Sequence, residues 1–193
     1  MSSAGSLEGD AAIRLFCALR LPDDVLDGLV GWGRGAIPAR SGVRPVVRAN
    51  LHVTLAFLGR RPSGDVPGVA GALREAAAEA RLPRFEVVRY RETRSVGMLV
   101  LADEGERATA LANDLHGRLE RLGVYERERR PWLPHLTVVR FRERARLTPT
   151  LPELGPFGPS DTALYHSVLR STGAQYEALE TFALGGNSCS SRQ

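Results

Sequence analysis

A histidine with a threonine two places on, set in an apolar run, occurs twice in this chain: LHVTLAFL at 51–58 and HLTVVRF at 135–141. Successive side chains of a strand point to opposite faces, so residues two apart share a face about 7 Å from each other. His52 and Thr54 therefore look one way and Val53 and Leu55 the other; His135 and Thr137 oppose Leu136 and Val138 in the same manner. A strand of this kind lies with its apolar face on a core and leaves the other face free for a cleft. Nine of the 193 residues are threonine, so chance gives two of four histidines a threonine at that spacing only about 1 to 2% of the time. The repeat is a constraint on the fold: two strands, distant in sequence, with a common task.

The rest of the chain supplies partners for those strands. IRLFCAL (13–19) reads as a strand, and Pro22 with Asp23 and Asp24 opens a helix over 22–36. VRPVV (43–47) is extended, and Gly59 with RRPSGD closes the first His/Thr strand before an alanine-rich helix at 66–81. Segments 84–92 and 95–103 form a hairpin, 106–123 an amphipathic helix ending at Gly123, and 162–171 and 176–184 two last strands after a loop at 142–160. Few helices separated by strand pairs predict an α+β protein of mostly antiparallel sheet, in two related lobes meeting at a groove. One domain over 11–185 is expected, with disordered tails at 1–10 and 186–193.

Composition removes several alternatives. No apolar run approaches the roughly 20 residues of a membrane-spanning helix, and MSSAGSLEGD lacks the basic and then apolar layout of a secretory signal, so a cytoplasmic protein is expected. Cys17 falls in a strand and Cys189 in the polar tail, with no paired spacing for a disulfide framework or a zinc site. All 26 basic side chains are arginine and the net charge is +4. Arginine is the better planar partner for phosphate, which is compatible with an anionic substrate.

Two histidines can ligate a metal, serve a nucleophile, or act together as acid and base. Neither strand offers Asp, Glu or Cys beside its His and Thr, so no metal or cofactor is expected, and no G-x-S-x-G elbow supports a serine nucleophile. Acid–base work remains. An imidazole pKa near 6.5 lets one ring carry a proton while the other is neutral, and two threonine hydroxyls can hold a phosphodiester between them.

With these motifs the chain resembles the two-histidine phosphoesterase superfamily, and within it the RNA 2',3'-cyclic phosphodiesterases also called 2'-5' RNA ligases. RLFCALRLPDDV, LHVTLAFLG and PHLTVVRFR carry the likeness, together with Ser167, Leu169, Gly173 and Tyr176 of SVLRSTGAQYEAL. The resemblance implies a bilobed, pseudo-twofold fold with both motifs facing a central groove and helices outside. It implies hydrolysis of a 2',3'-cyclic phosphate on an RNA end or nucleotide to a 2'-phosphate, with His52 as general acid, His135 as general base, and Thr54 and Thr137 binding phosphate. Phe57 and Arg140 match substrate-contacting positions, yet strict alternation sends Phe57 to the core face, and Arg140 needs a bulge to reach the groove. RRPWLPH resembles the basic lead-in to the second motif, so Arg129, Arg130 and Trp132 either touch RNA or form a solvated turn with a packed indole. Two rivals stay open: a nucleotide-binding module with little turnover, and 2'-5' ligation as the reverse reaction. Neither a membrane nor an obligate protein partner is expected. His116 is read as a surface or boundary residue of its helix, and both it and His166 as satisfied structural histidines.

Overall fold

The computed structural model describes residues 11–170 and 173–185, with backbone only at 169, 170 and 173; the expected disordered tails, like the side chain of Leu169, lie outside the described residues. Among the described residues eight strands and three α-helices follow in the order β1 (Ala12–Leu19), α1 (Asp23–Ala36), β2 (Val43–Pro45), β3 (Val53–Pro62), α2 (Val66–Glu79), β4 (Phe85–Glu92), β5 (Val96–Asp103), α3 (Arg107–Arg121), β6 (His135–Phe141), β7 (Thr162–Arg170) and β8 (Gly173–Phe182). Every pairing is antiparallel. The expected α+β architecture is the one observed.

The sheet divides at its middle. Its order is β4-β5-β6-β3-β1-β7-β8, with β2 on β6. A single residue pair, Val53 opposite Leu136, joins the β3 half to the β6 half. The two His/Thr strands are therefore the adjacent inner strands of two half-sheets. β1 is buried without a break from Leu15 to Leu19, as a strand covered on both faces must be.

Two helices close the core. In α2, Val69, Leu73, Ala76 and Ala77 follow helical spacing and are buried, and the small alanines let the helix lie close to β7 and β8. In α3, Leu111, Leu115 and Leu119 form the buried stripe against β3 and β5. The Asp103 carboxylate accepts the Ala108 and Thr109 N–H groups at 3.1 and 2.8 Å and anchors the start of α3. At its other end Gly123 takes φ +69°. Val124 N–H then closes on the Leu119 carbonyl at 3.2 Å and Gly123 N–H on that of Glu120 at 2.9 Å, a Schellman ending.

Three local expectations change. β3 does not stop at Gly59; it runs to Pro62, because Gly59 at φ +71° sits in a bulge opposite Leu15 and Phe16, not in a turn. Of the extended run 43–47, only Val43–Pro45 is strand. His116 is not at the surface: it is 4% exposed, because its ring has a backbone partner inside the protein.

Candidate active site

The local shape of β3 and β6 decides what reaches the cleft. On β3, Val53 and Leu55 are buried at 0% and 1% exposure, leaving His52 and Thr54 on the other face. Against β1, Ala18 faces Thr54 but Cys17 faces Ala56, so Leu55 is one residue too many. Leu55 and Ala56 both turn into the core, and Phe57 returns to the face of Thr54, 53% exposed and lining the cleft. The expectation of a core Phe57 is thus corrected by a bulge. β6 repeats the device: Met98 of β5 faces Thr137 and Gly97 faces Val139, so Val138 is extra, and Arg140 turns to the cleft face. Each half presents the same array, a histidine, a threonine two residues on, and a third side chain five residues on.

Both imidazoles are locked alike. The carbonyl of Asn50 lies 2.9 Å from His52 Nδ1, and that of Leu133 lies 2.8 Å from His135 Nδ1. A carbonyl only accepts, so each Nδ1 carries the proton and each Nε2 is left for chemistry. The Nε2 of His52 accepts the Thr54 hydroxyl at 3.1 Å. The lock on His52 is itself held, since the Asn50 side-chain amide donates to the Ala174 carbonyl of β8 at 2.9 Å.

Surroundings then distinguish the two rings. His52 lies among Phe16, Tyr165 and Tyr176, at 5.0, 6.1 and 5.4 Å between centroids. Burial pushes its pKa down to about 4; the Asn50 carbonyl opposes this, while the charges of Arg140 and His135 reinforce it.

His52, Thr54, Phe57, Thr137 and Arg140 line one cleft of about 520 Å3. His135 is not among the lining side chains; it is half-buried at the first position of β6, near enough for its charge to act on His52. The structure adds Arg14 and Arg44, which the sequence reading did not single out. Arg44 faces Arg140 directly across the β2–β6 pair, and the Arg14 guanidinium lies 5.6 Å from the centre of the Phe57 ring. Ion pairs elsewhere occupy other arginines, such as Arg48, Arg118 and Arg130, and among the described residues no acidic side chain lines the cleft. The cleft is thus built for an anion.

Other expected residues lie elsewhere. Arg130 is exposed and bound to Glu128 at 2.7 Å, outside the cleft lining. Trp132 is packed, and its indole N–H donates to the Thr54 carbonyl at 3.0 Å. Ser167 and Tyr176 do line the cleft. Burial pushes the Cys17 thiol up to about 12, which removes it as a nucleophile. Among the described residues, no three His, Cys, Asp or Glu side chains gather as a metal site would require. No described helix is long and apolar enough to cross a membrane.

Known proteins are similar to this chain over most of its length. The profile of the 2'-5' RNA ligase superfamily matches residues 27–176. An RNA 2',3'-cyclic phosphodiesterase of Thermus thermophilus is 33% identical over 189 residues, spanning 90% of this chain and 91% of that protein. One of Escherichia coli (strain K12) is 29% identical over 176 residues, spanning 89% and 96%. Among solved structures, Escherichia coli LigT complexed with 3'-AMP superposes with a TM-score of 0.76 at 24% identity, over 90% of this chain and 99% of that one. A Thermus thermophilus protein gives 0.74 at 31% identity, over 91% and 100%.

Proposed function

This chain belongs to the 2'-5' RNA ligase superfamily, and from that premise we propose that it hydrolyses 2',3'-cyclic phosphates on RNA ends or nucleotides to 2'-phosphates. The observation that carries the reading is the duplicated array, with each imidazole fixed through Nδ1 and each threonine on the face of its histidine. The RNA 2',3'-cyclic phosphodiesterases similar to it over most of the chain support the same activity.

In this reading His135 Nε2 takes a proton from water as the water oxygen attacks phosphorus. The bond from phosphorus to O3' breaks, and O3' leaves with a proton from His52 Nε2, giving a 2'-phosphate and a 3'-hydroxyl. The hydroxyls of Thr54 and Thr137 donate to the non-bridging oxygens, Arg140 balances the developing charge, and the base lies on Phe57. Each correctly placed acid or base contributes a factor of ~10²–10⁴. Burial keeps His52 neutral in the empty cleft, and an anion within about 4 to 6 Å favours the imidazolium. Substrate binding therefore loads the acid. Any contact of Arg130 with RNA lies outside the cleft. The expected setting is the cytoplasm, where ligation would be the minor, reverse direction.

One observation favours the exchanged assignment: an imidazole at about 4 is unprotonated near neutrality and ready to accept a proton from water. A substrate with sulfur in place of the 3'-bridging oxygen separates the two, because a thiolate leaves without a proton. His52→Ala should recover on it and His135→Ala should not; the reverse pattern exchanges the roles.

The activity itself is tested with EDTA-treated protein and a 2',3'-cyclic nucleotide or RNA end. The 2'-phosphate should form, and His52→Ala and His135→Ala should each abolish most of it. Formation of the 3'-phosphate, or full rates in both variants, contradicts the reading. Binding of 2'-AMP without turnover would instead make the chain a nucleotide-binding module.

A further inference from the structure

Pairing between β3 and β6 goes no further than Val53 opposite Leu136. The next two carbonyls of β3 are met by ring nitrogens from the second half of the chain. Trp132 Nε1–H donates to Thr54 at 3.0 Å, and His116 Nε2 stands 2.8 Å from the carbonyl of Leu55. Because that carbonyl can only accept, the His116 proton is on Nε2. Leu55 is also the extra residue of the bulge that turns Phe57 into the cleft.

The bond joins two buried places. His116 is 4% exposed on α3, its ring packed against Tyr125 at 4.8 Å, and its helix is fixed by the buried Leu115 and Leu119. Leu55 is 1% exposed. A buried carbonyl deprived of its donor bears the full cost of its lost hydration. Losing the bulge would relieve it, and a one-residue slip sends every later side chain of the strand to the other face.

We infer that His116 is a positioning residue for substrate: by holding the Leu55 carbonyl it keeps the bulge, and the bulge keeps Phe57 where a nucleobase meets it. His116 touches no substrate. The inference rests on the proposed stacking role of Phe57. In the β6 half, the carbonyl of the extra residue, Val138, is held instead by the Val46 backbone N–H at 2.9 Å, so of the two bulges that follow the threonines the one at Leu55 is the one held by a side chain.

The test compares His116→Leu, His116→Gln and Phe57→Ala, alone and with His116→Leu and Phe57→Ala combined. Substrates are a 2',3'-cyclic nucleotide and a methyl riboside 2',3'-cyclic phosphate without a base. Phe57→Ala should raise KM for the nucleotide about tenfold, as expected for loss of one stacked base. His116→Leu should raise it roughly fivefold with kcat little changed; His116→Gln, whose amide reaches the same carbonyl, should remain near wild type. The His116→Leu effect should vanish on the base-free substrate and in the Phe57→Ala background. Persistence there, or an unchanged KM in folded His116→Leu, overturns the inference and leaves the Phe57 reading intact. An unchanged KM in Phe57→Ala overturns both. If His116→Leu fails to fold, His116→Asn, too short to reach Leu55, takes its place under the same criteria, with 2'-AMP affinity as a second readout.

Discussion

The β3 half and the β6 half of the cleft use one backbone plan for two different purposes. Each has a histidine locked through Nδ1 to a carbonyl two residues earlier, a threonine beside it, and a bulge after the threonine. At the fifth position one half has Phe57 and the other Arg140. Aromatic rings surround His52, whereas Arg44 stands opposite Arg140 on β2. Duplicated backbone geometry can thus place two imidazoles equivalently while the neighbours make one half suited to a ring and the other to a charge. A nucleotide with a cyclic phosphate end has both parts.

The two halves meet their severest test at the histidines. His52→Ala and His135→Ala should each lower kcat by ~10²–10⁴, and the double variant should be little worse than either, since the two act as a unit; additive losses in single-turnover assays would argue for independent roles. Arg140→Ala comes next. Loss of a charge-assisted bond to phosphate, about 1.5–3 kcal/mol, should lower kcat/KM roughly 10- to 150-fold with or without a base on the substrate, unlike the base-dependent loss at Phe57. An Arg140→Ala defect confined to base-bearing substrates would reverse the assignment of the halves. Thr54→Val and Thr137→Val should cost less, about tenfold each for one neutral donor, and a large difference between them would mark which half grips phosphate more tightly.

The last expected effect is on stability, not on rate. The pKa of His52 is about 4 in the folded protein and near 6.5 in an unfolded chain. Between those values the unfolded state binds the extra proton, so stability present above about pH 6.5 is lost as pH falls toward 4, by roughly 3–4 kcal/mol at most. Burial lowers the pKa of His116 as well, which adds loss in the same direction. His52→Gln should flatten part of this dependence in urea unfolding at pH 7 and pH 4.5, and an unchanged slope would show that the burial of His52 is not what depresses it.

Alternation made much of this readable from residues alone. It placed His52, Thr54, His135 and Thr137 on free faces, and it found the strands and the ends of α3. It failed at Phe57 because a bulge adds one residue without disturbing the apolar pattern: Leu55-Ala56 and Val138-Val139 look like ordinary core residues until strand partners are known. His116 was legible as a satisfied structural histidine, but not what satisfies it. It follows Ala108 and Ala112 at four-residue steps on the buried side of α3, but its acceptor is 61 residues away on another element. Arg44 and Arg14 gain meaning only through the cross-strand neighbours that bring them to the same opening.

Catalysis of this kind requires the two imidazoles to flank one phosphorus. A crystal structure of the chain with a nucleoside vanadate, whose trigonal bipyramid imitates the transition state, measures this directly. His52 Nε2 and His135 Nε2 should each stand about 2.6–3.2 Å from opposite apical oxygens. Both rings on one side of the vanadium, or His135 turned away while vanadate is bound, would contradict the two-histidine mechanism.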